Sequence, residues 1–554
     1  MMSLKIGSSV GSEGRSLGRV LYKNPSGEGF SKPVKRRGRG RPGRPLGATG
    51  KGDHKPRQHE RTKLRFQRRR TILKTITGRF LIWIYHTVDL QYIILKNNYS
   101  TDCSQPGRFL LFTEVLKMKI DKICEEFIKP STPTPLQLRD YNLSFIDERI
   151  PNTYVPLILY YSFHDKKNTA TRSEMSRRLK NSLSDSLVHF YPLAGRMTDQ
   201  ASVHCNDEGI LYIEAYVDGS VFALTECPEN DILDKLVPFE SNGTVSSCEE
   251  QLAIQVSFFK CGGFCIGTCI SHRISDGFTL SSFIKSWAAI SCGDQSNLMT
   301  PVYNAATVFP PRNTPDFKPN LRSLAVQPPV AKYVAKRFVF TASELDELKQ
   351  EVVKNSSIVN PTWVEVLSGF LWYHCMVAKG VEEPRKSVAF HPVNLRGRIQ
   401  LLSECSFGNL FQMTKAVATV DDQTAWIELV QKMRDAFGKI DTEYTAELLG
   451  EKGCHLAKEN FMEMGRFLGS DEDIEVFRFS SYCLLAFDEA DFGWGKPVWV
   501  SPGSTCIKNV ITLLDSVKCG GGIEAWVVMA GTEMERLHQK LEFLGYLSSS
   551  SSSG

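Results

Sequence analysis

One histidine of the 554-residue chain stands where its chemistry would matter, His272 in the string Ser271-His272-Arg273-Ile274-Ser275-Asp276-Gly277. Imidazole is the side chain whose ordinary pKa lies nearest neutrality, so a histidine held at a strand end can take a proton from an alcohol. Asp276, four residues on, can orient that ring or fix the loop through an ion pair. Alone, a His-x-x-x-Asp pattern arises by chance in many chains. Three cysteines just upstream, Cys261, Cys265 and Cys269, fall at intervals of four and invite a metal. Geometry opposes it: Phe264 to Ile270 has strand composition, four strand residues span about 13 Å, and zinc–sulfur bonds are about 2.3 Å long. The cysteines read as small buried hydrophobes, and no metal is expected.

A second string, Asp491-Phe492-Gly493-Trp494-Gly495, sets two glycines beside two aromatic rings, the composition of a tight turn on which large side chains pack. Asp-Phe-Gly holds magnesium in protein kinases, but the chain has no His-Arg-Asp loop and no glycine-rich phosphate loop, so a structural turn is the reading. Gly7-Ser8-Ser9-Val10-Gly11 has the spacing of a nucleophile elbow, lacks the flanking strand and helix, and is set aside.

These residues need elements to hold them, and the chain after Met118 alternates helical and strand patterns. Met175, Leu179, Leu183 and Leu187 recur every four residues behind Ser173, an expected cap, and predict an amphipathic helix. Phe338-Val339-Phe340 reads as a strand running into a capping box, Thr341 to Glu344. A second box, Thr362 to Glu365, opens a helix with Val364, Leu367 and Leu371 on one face. Ile523 to Met529 reads as a buried strand, and a helix capped at Thr532 and carrying Leu537, Leu541 and Leu544 is expected after it. Mixed strands and helices predict an α/β class. Residues 301–329 hold seven of the 26 prolines, which predicts an extended linker between two similar halves, 118–300 and 330–554.

Composition bounds the rest. With 42% hydrophobic and 23% charged residues the chain is neither a disordered polymer nor a fibre. The net charge of +6 hides a division: residues 1–117 hold 25 Lys and Arg against 7 Asp and Glu, and the remainder 42 against 54. Residues 1–70 lack hydrophobic periodicity, so the extension 1–117 is expected to be disordered and no part of an enzyme, with Met118 a sensible initiator. Within it Arg39-Gly40-Arg41-Pro42 resembles an AT-hook, which lays arginines in the minor groove of A·T-rich DNA. Four residues in so skewed a composition arise readily by chance, and nucleic acid is not the expected partner. Fifteen cysteines without a regular framework or a CxxC read as reduced thiols. No secretory signal pattern opens the chain, and its most apolar stretch, Phe80 to Leu95, is interrupted by His86, Asp89 and Gln91. A soluble, cytoplasmic monomer without membrane contact is expected.

In this order and at this separation, His272-x-x-x-Asp276-Gly277 and Asp491 to Gly495 resemble the plant BAHD acyltransferase family, from about Met118 to the C-terminus. Further matches are Ser131 to Pro135, Phe190 to Arg196, Cys205-Asn206-Asp207, Asn394 to Arg398, Phe407-Gly408-Asn409 and Gly522 to Trp526. The arrangement looks closest to the vinorine-synthase-like clade, which acetylates alkaloid and related alcohols. Trp363 stands where many members carry Arg, and residues 1–117 have no counterpart in the family.

The resemblance implies two chloramphenicol-acetyltransferase-like halves, with the histidine midway along a channel that acyl-CoA and acceptor enter from opposite faces. It implies direct transfer from acyl-CoA, acetyl-CoA above all, to a small-molecule alcohol, with no covalent acyl-enzyme and no permanently bound cofactor. His272 is then the base, and Asp276, Gly277, Asp491, Gly493 and Gly495 are structural. Asp491 is expected to pair with an arginine of Asn394 to Arg398, Arg396 being the choice, and Trp494 to approach the channel. An amide-forming N-acyltransferase is the alternative within enzymology. Outside it stands a nucleic-acid-associated protein with a degenerate acyltransferase body, which should have lost His272 before its structural turn.

Overall fold

The computed structural model describes residues 106–546, except 163–170, 199–201, 240–248, 295, 297, 313–332, 381–383, 470–472 and 504–506. The AT-hook-like string, the stretch Phe80 to Leu95 and the proline-rich segment from residue 313 onward lie outside the described residues.

Two six-stranded mixed sheets with helices packed on them organise the chain, the α/β architecture expected. The first runs, edge to edge, β1 (Ile120–Ile128), β6 (Ile210–Val217), β7 (Leu252–Phe259), β8 (Phe264–Ser271), β3 (Tyr154–Tyr161) and β13 (Trp499–Pro502). The second runs β11 (Phe411–Val420), β10 (Arg385–Asn394), β12 (Ile474–Ser481), β14 (Val510–Ser516), β15 (Gly522–Ala530) and β9 (Tyr333–Phe340). A small third sheet joins β2 (Asp140–Asn142), β5 (Ser202–His204) and β4 (Arg196–Met197). Within the first sheet β13 pairs antiparallel with β3, Trp499 opposite Tyr160, so a strand from late in the chain completes the sheet built by the first half.

Helix α1 (Arg172–His189) buries Met175, Leu179, Leu183 and Leu187 as their spacing requires. Its cap is Thr171 rather than Ser173: Thr171 and Glu174 close a reciprocal box that satisfies two orphan donors, where a lone serine satisfies one. Helix α2 (Gly277–Cys292) starts from Asp276, whose carboxylate takes the Thr279 N–H at 2.9 Å. Trp287 of α2 donates Nε1 to Leu179 O and Ser182 Oγ, locking α2 onto α1. In the second half the boxes at Thr341 and Thr362 close as read, and Trp363, opening α3 (Trp363–Lys379), donates Nε1 to Asp346. Helix α4 (Gly531–Phe543) follows β15 without a loop and has no side-chain cap, so Thr532 lies inside it.

The folded chain begins before Met118. Pro106–Leu116 is helical and buries Phe112 and Val115, apolar residues at helical spacing, so the disorder expected for 1–117 does not hold for its last residues. No helix among the described residues is long and apolar enough to cross a membrane.

Candidate active site

Strand β8 is buried along its whole length and delivers His272 just past its carboxyl end, where the His272 N–H donates to Thr153 O at 2.8 Å. The ring is half-buried where the two halves meet, with Phe411 of β11 6.1 Å away between ring centres. Nδ1 lies 3.0 Å from the Ser275 carbonyl oxygen and 3.1 Å from Asn409 Oδ1. A carbonyl only accepts, so Nδ1 carries the proton and Nε2 keeps its lone pair. Among the described residues Nε2 meets no hydrogen-bond partner. Burial holds the imidazole below its ordinary pKa of 6.5, against the opposing pull of the Nδ1 hydrogen bonds and of Asp276. The ring is therefore neutral, and a base, at neutral pH.

Neither oxygen of Asp276 bonds that ring. Oδ2 accepts from Arg396 Nη1 at 2.6 Å and Oδ1 from Arg396 Nη2 at 3.1 Å, while the Leu410 N–H donates to Oδ2 at 3.0 Å. Arg396 also donates Nη2 to the carbonyls of Ser406 at 2.8 Å and Gly408 at 3.2 Å. The loop 406–410 of the second half is thereby fixed onto the turn after β8. Gly277 lies beside this pair, where an added Cβ would press on Leu485 at 3.0 Å.

Arg396 thus serves Asp276, not Asp491 as expected. Asp491 is partly exposed and its Oδ1 takes the N–H groups of Gly493 at 2.7 Å and Gly495 at 2.9 Å. Two donors from its own turn satisfy the carboxylate, so no arginine is needed. Phe492 packs edge-on against Trp287 at 4.8 Å, and Tyr161 donates its hydroxyl to Ala490 O at 2.9 Å. The turn is the corner from which the chain goes on to add β13 to the first sheet.

Trp494 is not beside the base. Its ring meets Phe264 edge-on at 5.8 Å and carries the Arg178 guanidinium at 4.8 Å. Phe264 starts β8 and His272 follows its end, a separation of about 26 Å at the strand rise. Trp494 instead lines an open surface cavity of about 350 Å³ with Glu174, Arg177, Arg178 and Asp185.

Asn409, which the sequence marked only within the Phe407-Gly408-Asn409 match, and Asp147, which it did not single out, join the site. Asp147 is fully buried, and its oxygens accept from Ser144 N (3.0 Å), Ser144 Oγ (2.6 Å), Asn409 N (2.8 Å) and Asn409 Nδ2 (2.8 Å). The sequence offered little signal, since Asp147 stands in the mixed string Phe145-Ile146-Asp147-Glu148-Arg149. Of the three spaced cysteines, Cys265 and Cys269 are buried and Cys261 is exposed; burial pushes the Cys265 thiol up to about 12, an inert group. Among the described residues Cys124, Glu126 and Glu214 cluster as possible metal ligands, but both carboxylates already pair with Lys180.

The Transferase family model matches residues 118–544. The chain is 34% identical to limonoid 1-O-acetyltransferase of Citrus sinensis over 445 residues, 78% of this chain and 99% of that one. It is 33% identical to stemmadenine O-acetyltransferase of Catharanthus roseus, covering 77% and 97% of the two chains. A crystal structure of vinorine synthase superimposes with a TM-score of 0.64 at 31% identity, covering 77% of this chain and 98% of that one.

Proposed function

The chain belongs to the Transferase family, the BAHD acyltransferases, and from that premise we propose that His272 is the base of a direct acyl transfer from acetyl-CoA to a hydroxyl of an alkaloid- or limonoid-type alcohol. The enzyme is an acyl-CoA-dependent O-acyltransferase built on two chloramphenicol-acetyltransferase-like halves.

A thioester is already activated, so the chain has to hold both substrates and remove the hydroxyl proton. Nε2 of His272 takes that proton as the acceptor oxygen attacks the thioester carbonyl. The C–S bond breaks, CoA leaves as thiolate and recovers the proton from the imidazolium, and an ester and free CoA result. A positioned base supplies about 10²–10⁴-fold, and holding the two substrates together adds several kcal/mol.

The observation that supports this reading is the state of the ring, with Nδ1 held by an acceptor and Nε2 unpartnered among the described residues where the halves meet. The transfer is assigned to the matched residues 118–544 and not to the basic segment before them. The test offers acetyl-, malonyl- and hydroxycinnamoyl-CoA with alkaloid, terpenoid and phenolic alcohols and amines, to the enzyme and to His272→Ala. Ester from acetyl-CoA, lost in a variant that melts like the parent, is expected. A folded His272→Ala with parental kcat overturns the base, and amide as the sole product overturns the acceptor.

A further inference from the structure

We propose that Asn409, anchored by the buried Asp147 carboxylate, is a positioning residue for His272: its amide oxygen holds the base in the tautomer that leaves Nε2 free, and receives the charge when the ring becomes imidazolium. This rests on His272 being the base.

The orientation of the Asn409 amide is fixed by its other end. Nδ2 donates to Asp147 Oδ1 at 2.8 Å and to the His272 carbonyl oxygen at 2.7 Å. Both are oxygens facing a donor, so Oδ1 has to be the atom 3.1 Å from His272 Nδ1. Burial raises the Asp147 carboxyl above its ordinary pKa, and the hydrogen bonds from Ser144 and Asn409 oppose that and favour the carboxylate. Four donors converge on its two oxygens, and Ser144 Oγ, which already accepts the Asp147 N–H at 3.1 Å, has its hydrogen free to donate. Among the described residues no cationic side chain pairs with this carboxylate, whose relative exposure is 0%. A buried anion is costly unless its surroundings compensate it.

The anion stands one amide away from the ring that becomes positive. The other charges facing that ring are Asp276, at the start of α2, which pulls the ring's pKa up, and Arg396, from the second half, which is paired to Asp276. Asp147 is a second carboxylate behind the ring, joined to it through the Asn409 amide. Asp147 and His272 belong to the first half and Asn409 to the second, so the base is set only where the halves meet. Gly408, at φ +126°, lets the chain reach this position; a Cβ there would press on Ala305 at 3.3 Å.

The test compares Asn409→Ala, Asp147→Asn and His272→Ala in the full chain. Asn409→Ala is expected to lower kcat about 10–100-fold, less than loss of the base itself because the Ser275 carbonyl still holds Nδ1. KM for acetyl-CoA should stay within about twofold, since among the described residues the Asn409 side chain bonds only the His272 ring, the His272 carbonyl and Asp147. The acid limb of kcat should move to lower pH, because the imidazolium has lost an acceptor. Asp147→Asn, which keeps the shape and removes the charge, should move that limb the same way. A folded Asn409→Ala with parental kcat and an unmoved limb overturns the inference. So does an Asp147→Asn enzyme with both unchanged, which decides the matter should Asn409→Ala fail to fold. Parental kcat in His272→Ala would instead overturn the base assignment.

Discussion

Arg396 and Asp276 meet as a two-pronged ion pair, Nη1 to Oδ2 at 2.6 Å and Nη2 to Oδ1 at 3.1 Å, between residues 120 positions apart. The pair bonds neither ring nitrogen of His272. Its effect is to hold the loop 406–410 against the turn after β8, which sets Asn409 against the imidazole. The spacing of the His-x-x-x-Asp string follows from this. His272 follows the strand, Asp276 caps the next helix, and the turn between them supplies the Ser275 carbonyl that holds Nδ1.

Asp276→Ala leaves Arg396 buried and uncompensated, a loss of about 3–5 kcal/mol. Melting temperature and activity should fall together, since the loop carrying Asn409 loosens with the pair. Asp276→Asn, which keeps an acceptor for the Thr279 N–H, should recover part of both. Thermal melts beside kcat decide it: an Asp276→Ala enzyme that melts like the parent but has lost kcat would make this carboxylate catalytic.

The pH profile follows from the direction of the His272 shift. Burial lowers its pKa below 6.5, and the neutral ring is the active form. Activity should therefore be flat from neutral pH down past 6.5 and fall only at lower pH, with the slope of a single proton. A kcat/KM profile already declining at pH 7 on its acid side would contradict the assignment.

What the sequence made legible were features written locally. Two capping boxes, the Leu179 helix and the β8 strand ending before His272 depend on neighbours a few residues apart. The pairing of β13 with β3 and the choice of Asp276 for Arg396 depend on residues more than a hundred positions apart, for which period and propensity carry no signal. The Asp491 turn shows the limit well. Its glycines were visible as flexible points, yet their N–H groups also serve as the carboxylate's partners, which is why no arginine comes. The Phe407-Gly408-Asn409 match marked Asn409 without its role, and Asp147 gave no pattern, because their meaning is a contact between the halves.

Acid should weaken the fold through two further histidines. Burial, aided at His374 by Lys540, lowers the pKa of His374 to about 4, and burial does the same at His391. The unfolded chain takes up these protons near pH 6.5 and the native one only near 4, so their contribution is whole above 6.5 and is lost as pH falls from there. The slope is about 1.4 kcal/mol per pH unit for each proton. Denaturant melts of the parent and of His391→Phe between pH 7 and 5 should show a shallower acid loss in the variant. Parallel curves would show that His391 does not titrate differently on folding.

The Asp491 turn yields the sharpest contrast between two substitutions of similar appearance. Both of its hydrogen bonds land on one oxygen, Oδ1, with Gly493 and Gly495 as donors. An asparagine offers that oxygen equally, so Asp491→Asn should melt within about 0.5 kcal/mol of the parent. Asp491→Ala removes the acceptor for both N–H groups, which are exposed and can turn to water, and should cost about 1 kcal/mol. Gly493→Ala should be worse than either, because its φ of +93° disfavours any side chain and the added Cβ would run into the Arg178 guanidinium stacked on Trp494. None should change kcat per folded molecule, since the turn packs at the far end of β8 from His272. Loss of kcat in a normally melting Asp491→Asn would bring this carboxylate back into the chemistry.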